Sequence, residues 1–203
     1  MTEVVDYATS VAVYVPDAHN PPIPLDLDKF MGTWFVTYST LPLWKSRKDV
    51  TISYTPKESS GGLTQFDDLV KYRSNSDSPS SKLSSVIGVD TLVVPPSTAG
   101  ATADIPKTRF KWRGKGWLMI ASSRWQILGC SSASETSQWA ITYFEKTLFT
   151  PAGLDIYART SEGLPDALLQ EVIAKTKALG GEVSKLAEQF FEVERSQPPM
   201  TDS

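Results

Sequence analysis

Apolar and polar residues alternate with a period of two along most of the chain between residues 33 and 159. The pattern predicts eight β-strands, at about 33–40, 49–56, 63–73, 83–93, 107–113, 116–129, 138–147 and 154–159. The stretches between several of them, KESSGG (57–62), SNSDSPSS (74–81), PPSTAGATADIP (95–106) and SSASETS (131–137), have the composition of loops. Within 116–129 the odd positions run Trp117, Met119, Ala121, Ser123, Trp125 and Ile127, with Arg124 and Gln126 on the other face. Val50, Ile52 and Tyr54 alternate with Asp49, Thr51 and Ser53, and Phe110 and Trp112 with Lys111 and Arg113. Long strands with short connections, one wet face and one aromatic-rich face predict an all-β antiparallel up-and-down meander. Closure into a barrel fits this pattern better than a sandwich.

One helix interrupts the period. In LPDALLQEVIAKTKALGG, Pro165 suits a first helical position and Asp166 the positive end of the dipole. Leu168, Leu169, Val172, Ile173 and Leu179 form a stripe at helical spacing, and Gly180 stands where the helix should stop. This helix is expected to pack outside the barrel, and 184–194 has room for a further turn or a short strand. Residues 1–25, with Pro16, Pro21, Pro22 and Pro24, read as an extended N-terminal arm. The barrel domain with its helix is expected over 26–195, and 196–203 as a flexible tail.

Composition narrows the chemistry. Of 203 residues, 40% are hydrophobic and 21% charged, the balance of a globular domain large enough to bury a core without staples. A formal charge of −3 supplies no positive field for nucleic acid or an anionic membrane, and no run is long enough for stable membrane insertion. The single cysteine, Cys130, can form no internal disulfide, and the first ten residues carry acids where a signal peptide would carry basic groups. The expectation is a cytoplasmic protein.

Two ends of the chain carry a family resemblance. Gly32, Thr33 and Trp34 form G-x-W at the opening of the first strand, and Arg159 and Thr160 close the last strand ahead of the helix. The arrangement resembles the lipocalins of the calycin superfamily, most of all the bacterial lipocalin and apolipoprotein D branch. The segment WRGKGWLMIASSRWQILGC is similar to fungal calycin-like proteins, some encoded beside secondary-metabolite genes. The resemblance implies an eight-stranded barrel whose closed end is sealed by Arg159 lying across Trp34, with Gly32, Trp34 and Arg159 structural. The usual Thr-Asp-Tyr element between the later strands is replaced, SQWAITYF (137–144) lying nearest.

Strong catalytic constellations are missing from the sequence. His19, the sole histidine, lies in the proline-rich arm and reads as an exposed linker residue, which leaves no basis for a histidine triad or a His-rich metal site. The GKG of WRGKGW lacks the phosphate-loop frame and reads as a turn or strand bend. Asp67 and Asp68 are adjacent, so on a strand one faces the cavity as a potential acid or base, unless the pair marks an exposed strand edge. Glu145 shares strand parity with Trp139, Ile141 and Tyr143, so an inward row would place a carboxylate near one cavity end. Tyr38, Tyr54, Trp112, Trp125, Trp139 and Tyr143 are the candidate ligand contacts; core filling is the alternative for any of them.

Three functions are open on these residues. The first is a binding protein for a hydrophobic small molecule such as a fatty acid, terpenoid or polyketide, with no cofactor and no metal. The second is a cofactor-independent isomerase or cyclase of fungal secondary metabolism. It would fold a reactive substrate in the same pocket, with Glu145 or the Tyr143 hydroxyl polarising a carbonyl. The third is a filled barrel with a purely structural role.

Overall fold

A computed structural model describes residues 11–19, 21–57, 65–93, 107–116 and 121–196. The elements in chain order are α1 (Leu27–Phe30), β1 (Gly32–Ser39), a 3-10 helix (Pro42–Ser46), β2 (Arg47–Lys57), β3 (Gln65–Ser74), β4 (Ser84–Leu92) and β5 (Arg109–Gly114). They continue with β6 (Ser122–Cys130), β7 (Trp139–Phe144), β8 (Gly153–Ala158), α2 (Asp166–Lys177), α3 (Gly181–Ala187) and β9 (Phe191–Glu192). Strands β2 to β8 pair in sequence order, β8 pairs with β1, and β1 pairs back to β2, all antiparallel, so the eight strands close as an up-and-down barrel. The expected strand over 116–129 is present from Ser122; Trp117 and Met119 lie outside the described residues.

The inward rows are those that the alternation predicts in β2, β5 and most of β6. Val50, Ile52, Tyr54, Phe110, Trp125 and Ile127 all belong to the inner core. A second apolar layer lies outside the wall. Leu169 and Val172 of α2, with Val183 and Ala187 of α3, cover Trp139, Ile141, Leu154 and Ile156 on the outer faces of β7 and β8. Each such fully buried aliphatic side chain stabilises the fold by about 1.5–3 kcal/mol relative to exposure, so the helices are integral to the barrel rather than appended to it. The expected single helix is in fact two: Gly180 (φ 74°) and Gly181 (φ 62°) adopt conformations disfavoured for side-chain-bearing residues, and the chain turns there and resumes as α3.

The β1–β2 junction is not uniform. Gly32 to Phe35 pair with β2, whereas Tyr38 and Ser39 pair with β9. The C-terminal segment is thus inserted where β1 and β2 part. The Val193 amide donates to the Thr37 carbonyl (2.9 Å) and the Asp49 amide to the Glu194 carbonyl (3.0 Å). Asp49, held at φ 54°, clasps the end of that segment by accepting from the Ser196 amide (2.7 Å) and hydroxyl (2.8 Å), and pairs with Arg73 at 2.9 Å.

At the opposite end α1 plugs the barrel with Leu27 and Phe30. The Arg159 guanidinium lies 3.6 Å from the centroid of a Trp34 ring and donates to the carbonyls of Lys29 (2.7 Å), Phe30 (3.1 Å) and Thr33 (3.1 Å). Its Nε donates to Gln138 (3.1 Å), and the Trp34 indole N–H donates to the Phe30 carbonyl (2.8 Å). Gly32 is required by its backbone, at φ 93°, and an added Cβ would stand 3.6 Å from the Arg159 guanidinium. Replacing Arg159 with alanine removes a cation–π contact and charge-assisted hydrogen bonds, a loss of about 2–4 kcal/mol. Thermal denaturation should then show Tm lower by roughly 5–10 °C, with selectivity among ligands unchanged because the lid is at the closed end.

Candidate functional site

The barrel is hollow toward the end formed by the β1–β2, β5–β6 and β7–β8 connections, where a cavity of about 1050 Å³ opens. A filled barrel is therefore ruled out. Ile52, Tyr54 and Asp68 come from β2 and β3, Trp112 and Trp125 from β5 and β6, and Phe144 and Asp155 from β7 and β8. Beneath them the floor is a packed aromatic layer: Tyr54 stacks on Trp125 (5.8 Å, 12°), while Phe66 and Phe110 meet edge-on at 5.2 Å. Gly88 permits the wall to form. A Cβ there would lie 2.1 Å from the Trp112 indole nitrogen, so only glycine lets that ring lie across β4 beside Asp68.

The predicted site residues divide. Tyr54, Trp112 and Trp125 line the cavity. Tyr38, Trp139 and Tyr143 do not: all three pack into the outer layer under α2 and α3. The reason is parity. In β1 the register shifts between Val36 and Tyr38, so Val36 opposes inward Tyr157 while Tyr38 opposes outward Ile156. In β7 the inward row is Ala140, Thr142 and Phe144, which turns Trp139, Ile141 and Tyr143 to the helices. The Tyr143 hydroxyl thus points away from the cavity that the catalytic reading required. Glu145 does border the cavity, but at its mouth and beyond the end of β7, not as a member of an inward row.

Three carboxyls inside the wall are the site's main polar features. Asp68 resolves the parity question of the Asp67–Asp68 pair: it faces the cavity and is buried, while Asp67 lies outside and binds Lys115 at 2.6 Å. Asp90 is fully buried beside it and accepts from the Trp125 indole N–H at 2.7 Å. Burial raises the pKa of both, and the charge of Asp90 pushes Asp68 further, so the pair retains a proton at neutral pH. Asp155, also fully buried, accepts from the Ser39 hydroxyl (2.5 Å) and the Trp44 indole (3.3 Å). Burial carries its pKa from 3.8 to about 7 against those two donors. Asp90 and Asp155 were missed by the strand patterns; for Asp90 a carboxylate at the inward parity of an apolar strand is the signal, whereas β8 is buried on both faces and gives Asp155 no such mark.

The mouth has an apolar fringe. Leu148 is 95% exposed and Phe149 80%, and Leu43 faces them across the opening from the 3-10 helix. Their exposure is built in. The Thr147 hydroxyl accepts from the Phe149 (3.1 Å) and Thr150 (3.0 Å) amides, closing a turn that holds the two side chains outward. Arg47 and Lys146 stand at the same rim.

No protein-family model and no curated protein sequence matches the chain. Solved structures do. Lobster apocrustacyanin A1 is 16% identical, covering 85% of this chain and 81% of that one with a TM-score of 0.54. H1 crustacyanin from the lobster Homarus americanus is 14% identical over 93% and 90% (TM-score 0.53). The cockroach major allergen Per a 4 is 14% identical over 91% and 96% (TM-score 0.54). The chain has a lipocalin fold. At these identities the likeness extends to architecture.

The buried carboxyls set a pH response. Unfolded aspartates release their protons near 3.8, whereas folded Asp155 holds its proton to about 7. Between those values the native state binds more protons, so stability is lost as pH rises. The lowered carboxyls, Asp26, Asp49, Asp67 and Glu162, act in the opposite sense, but their contribution is largely complete by pH 5.5. Thermal melts are expected to show Tm falling by roughly 5 °C or more from pH 5.5 to 8, with a shallower slope in Asp155→Asn.

Proposed function

We propose that this protein binds a hydrophobic small molecule inside the barrel. The observation that carries the reading is the open cavity of about 1050 Å³ walled by Ile52, Tyr54, Trp112, Trp125 and Phe144. That volume matches the upper end of sites that enclose one drug-sized ligand, about 300–1000 Å³. The exposed Leu43, Leu148 and Phe149 give an apolar ligand a continuous path from solvent into the wall. A terpenoid or polyketide with a ring system suits the aromatic faces better than a flexible fatty acid, because less ligand entropy is lost on stacking.

The isomerase or cyclase reading keeps one specific support. Asp68 is a cavity-facing carboxyl whose pKa burial and the charge of Asp90 raise well above its ordinary value, the direction a general acid requires. In that reading the Asp68–Asp90 pair takes the role that the strand pattern gave to Tyr143 and Glu145.

Tryptophan fluorescence tests the binding role directly, since Trp44, Trp112 and Trp125 line the cavity. Saturable quenching by polycyclic terpenoids at micromolar concentration is expected. Gly88→Ala, which drives the Trp112 ring into the cavity, should weaken that binding about five- to tenfold, or about 1–1.4 kcal/mol. The absence of any response to apolar ligands well above micromolar would remove the proposal. For catalysis the measurement is product ratio from a reactive polyene with wild type and Asp68→Asn: equal ratios leave the binding role alone.

A further inference from the structure

We infer that the ligand carries a protonated amine at its buried end, held by the Asp68–Asp90 pair beside the ring of Trp112. The inference rests on the cavity being a ligand site, and three observations lead from there to the amine. The first is charge. Asp68, Asp90 and Asp155 are all buried, and among the described residues what chiefly shifts them is burial, one another and the neutral donors Trp112, Trp125, Ser39 and Trp44 rather than a lysine or arginine. Aspartates are rarely buried without a partner, because an unpaired charge removed from water is costly. A cation brought by the ligand would supply the missing partner.

The second observation is the direction of the hydrogen bonds. The Trp125 indole donates to Asp90, and the Ser39 hydroxyl and Trp44 indole donate to Asp155. These three donors are therefore already engaged, and the polar groups that the pair itself leaves for a ligand are acceptors. Asp68 Oδ1 and Asp90 Oδ2 are buried with no donor directed at them. A single proton shared by the pair satisfies these oxygens in the empty site and leaves one negative charge. An ammonium group donates in place of that proton and lets both carboxyls ionise. A ligand ending in a carboxylate would meet like charge, and a ligand ending in an alcohol or a carbonyl would supply no charge to the pair.

The third observation is the π surface. Trp112 lines the cavity beside Asp68 and is only half-buried, so its ring stays open to a ligand, and an ammonium over such a face gains a further attraction. The basic side chains bordering the cavity, Arg47, Lys111, Arg124 and Lys146, do not cancel this. Lys111, Arg124 and Lys146 are exposed and Arg47 lies over the Tyr72 ring at the rim, where charges are screened within about 8 Å at physiological ionic strength.

Decylamine, decanol and decanoic acid separate the possibilities, since they share one apolar chain and differ only at the polar end. Binding of each to the full-length protein at pH 7 is measured by tryptophan quenching and calorimetry. The amine is expected to bind at least tenfold tighter than the alcohol, and the acid weakest. In Asp68→Asn/Asp90→Asn the amine should fall to within about threefold of the alcohol, whereas Asp67→Asn, outside the barrel, should keep the wild-type preference. If that double variant does not fold, the wild-type order decides. Equal binding of amine and alcohol, or tightest binding of the acid, overturns the amine while the cavity remains a ligand site. Failure of all three, with polycyclic terpenoids also inert, removes the binding role and the amine together.

Discussion

The irregularity at Thr37 is the constraint on which the architecture turns. One additional residue in β1, between Val36 and Tyr38, cannot be paired within the ladder and bends the strand away from β2. Thr37 itself is buried and tied down, its hydroxyl donating to the Ile156 carbonyl and its own carbonyl accepting from Val193. Above this point β1 would present an open edge, and β9 occupies it. The bulge therefore explains at once why the C-terminal segment belongs to the barrel, why Asp49 is built as its clasp, and why Tyr38 leaves the cavity. It also widens the mouth, because β1 and β2 are no longer in direct contact where the 3-10 helix begins.

The closed end is rigid for a different reason. Arg159 fixes Trp34 and the carbonyls at the end of α1, and from there the aromatic contacts run without interruption to the cavity floor. Phe30 meets Trp34 at 4.9 Å and Tyr54 at 5.7 Å, and Tyr54 stacks on Trp125. A close-packed chain of rings has few low-energy alternatives, so the floor that presents Asp68 and Asp90 is held from below by the lid. The mouth, built from turns and exposed side chains, is free to vary independently.

Much of this was legible in the chain. Where one strand face is wet, as in β2 and β5, alternation gives the inward row directly, and G-x-W with the strand–Arg–helix segment gives the closure. Legibility fails where that contrast is lost. All six residues of β8 are buried, because helices cover its outer face, so Asp155 does not stand out from Leu154 and Ile156 by periodicity. In β7 the same cover makes Trp139 and Tyr143 look like cavity residues. Bulges defeat the pattern in another way. One extra residue inverts parity, and Thr37 carries no glycine or proline to announce it. In β6 a second register shift between Ile127 and Gly129 places Gly129 on the outside next to Leu128 and brings Cys130 to the inside; there Gly129 is a visible mark, since a Cβ would come 2.4 Å from the Ala12 carbonyl.

The tryptophans and the buried carboxyls explain one another. An indole offers a large apolar surface and one N–H that must be satisfied when buried, and a buried carboxyl offers acceptors that water no longer serves. Trp125 with Asp90, and Trp44 with Asp155, meet both needs in one contact. Replacing the aspartate alone would orphan an indole N–H beneath the cavity; replacing the tryptophan alone would orphan a carboxyl and open a void. Such pairs hold polar groups deep in an apolar wall at tolerable cost, while Asp68 and Asp155 border the cavity. The same burial that makes these groups expensive in the empty barrel makes any complementary charge brought into it count for more than it would in water.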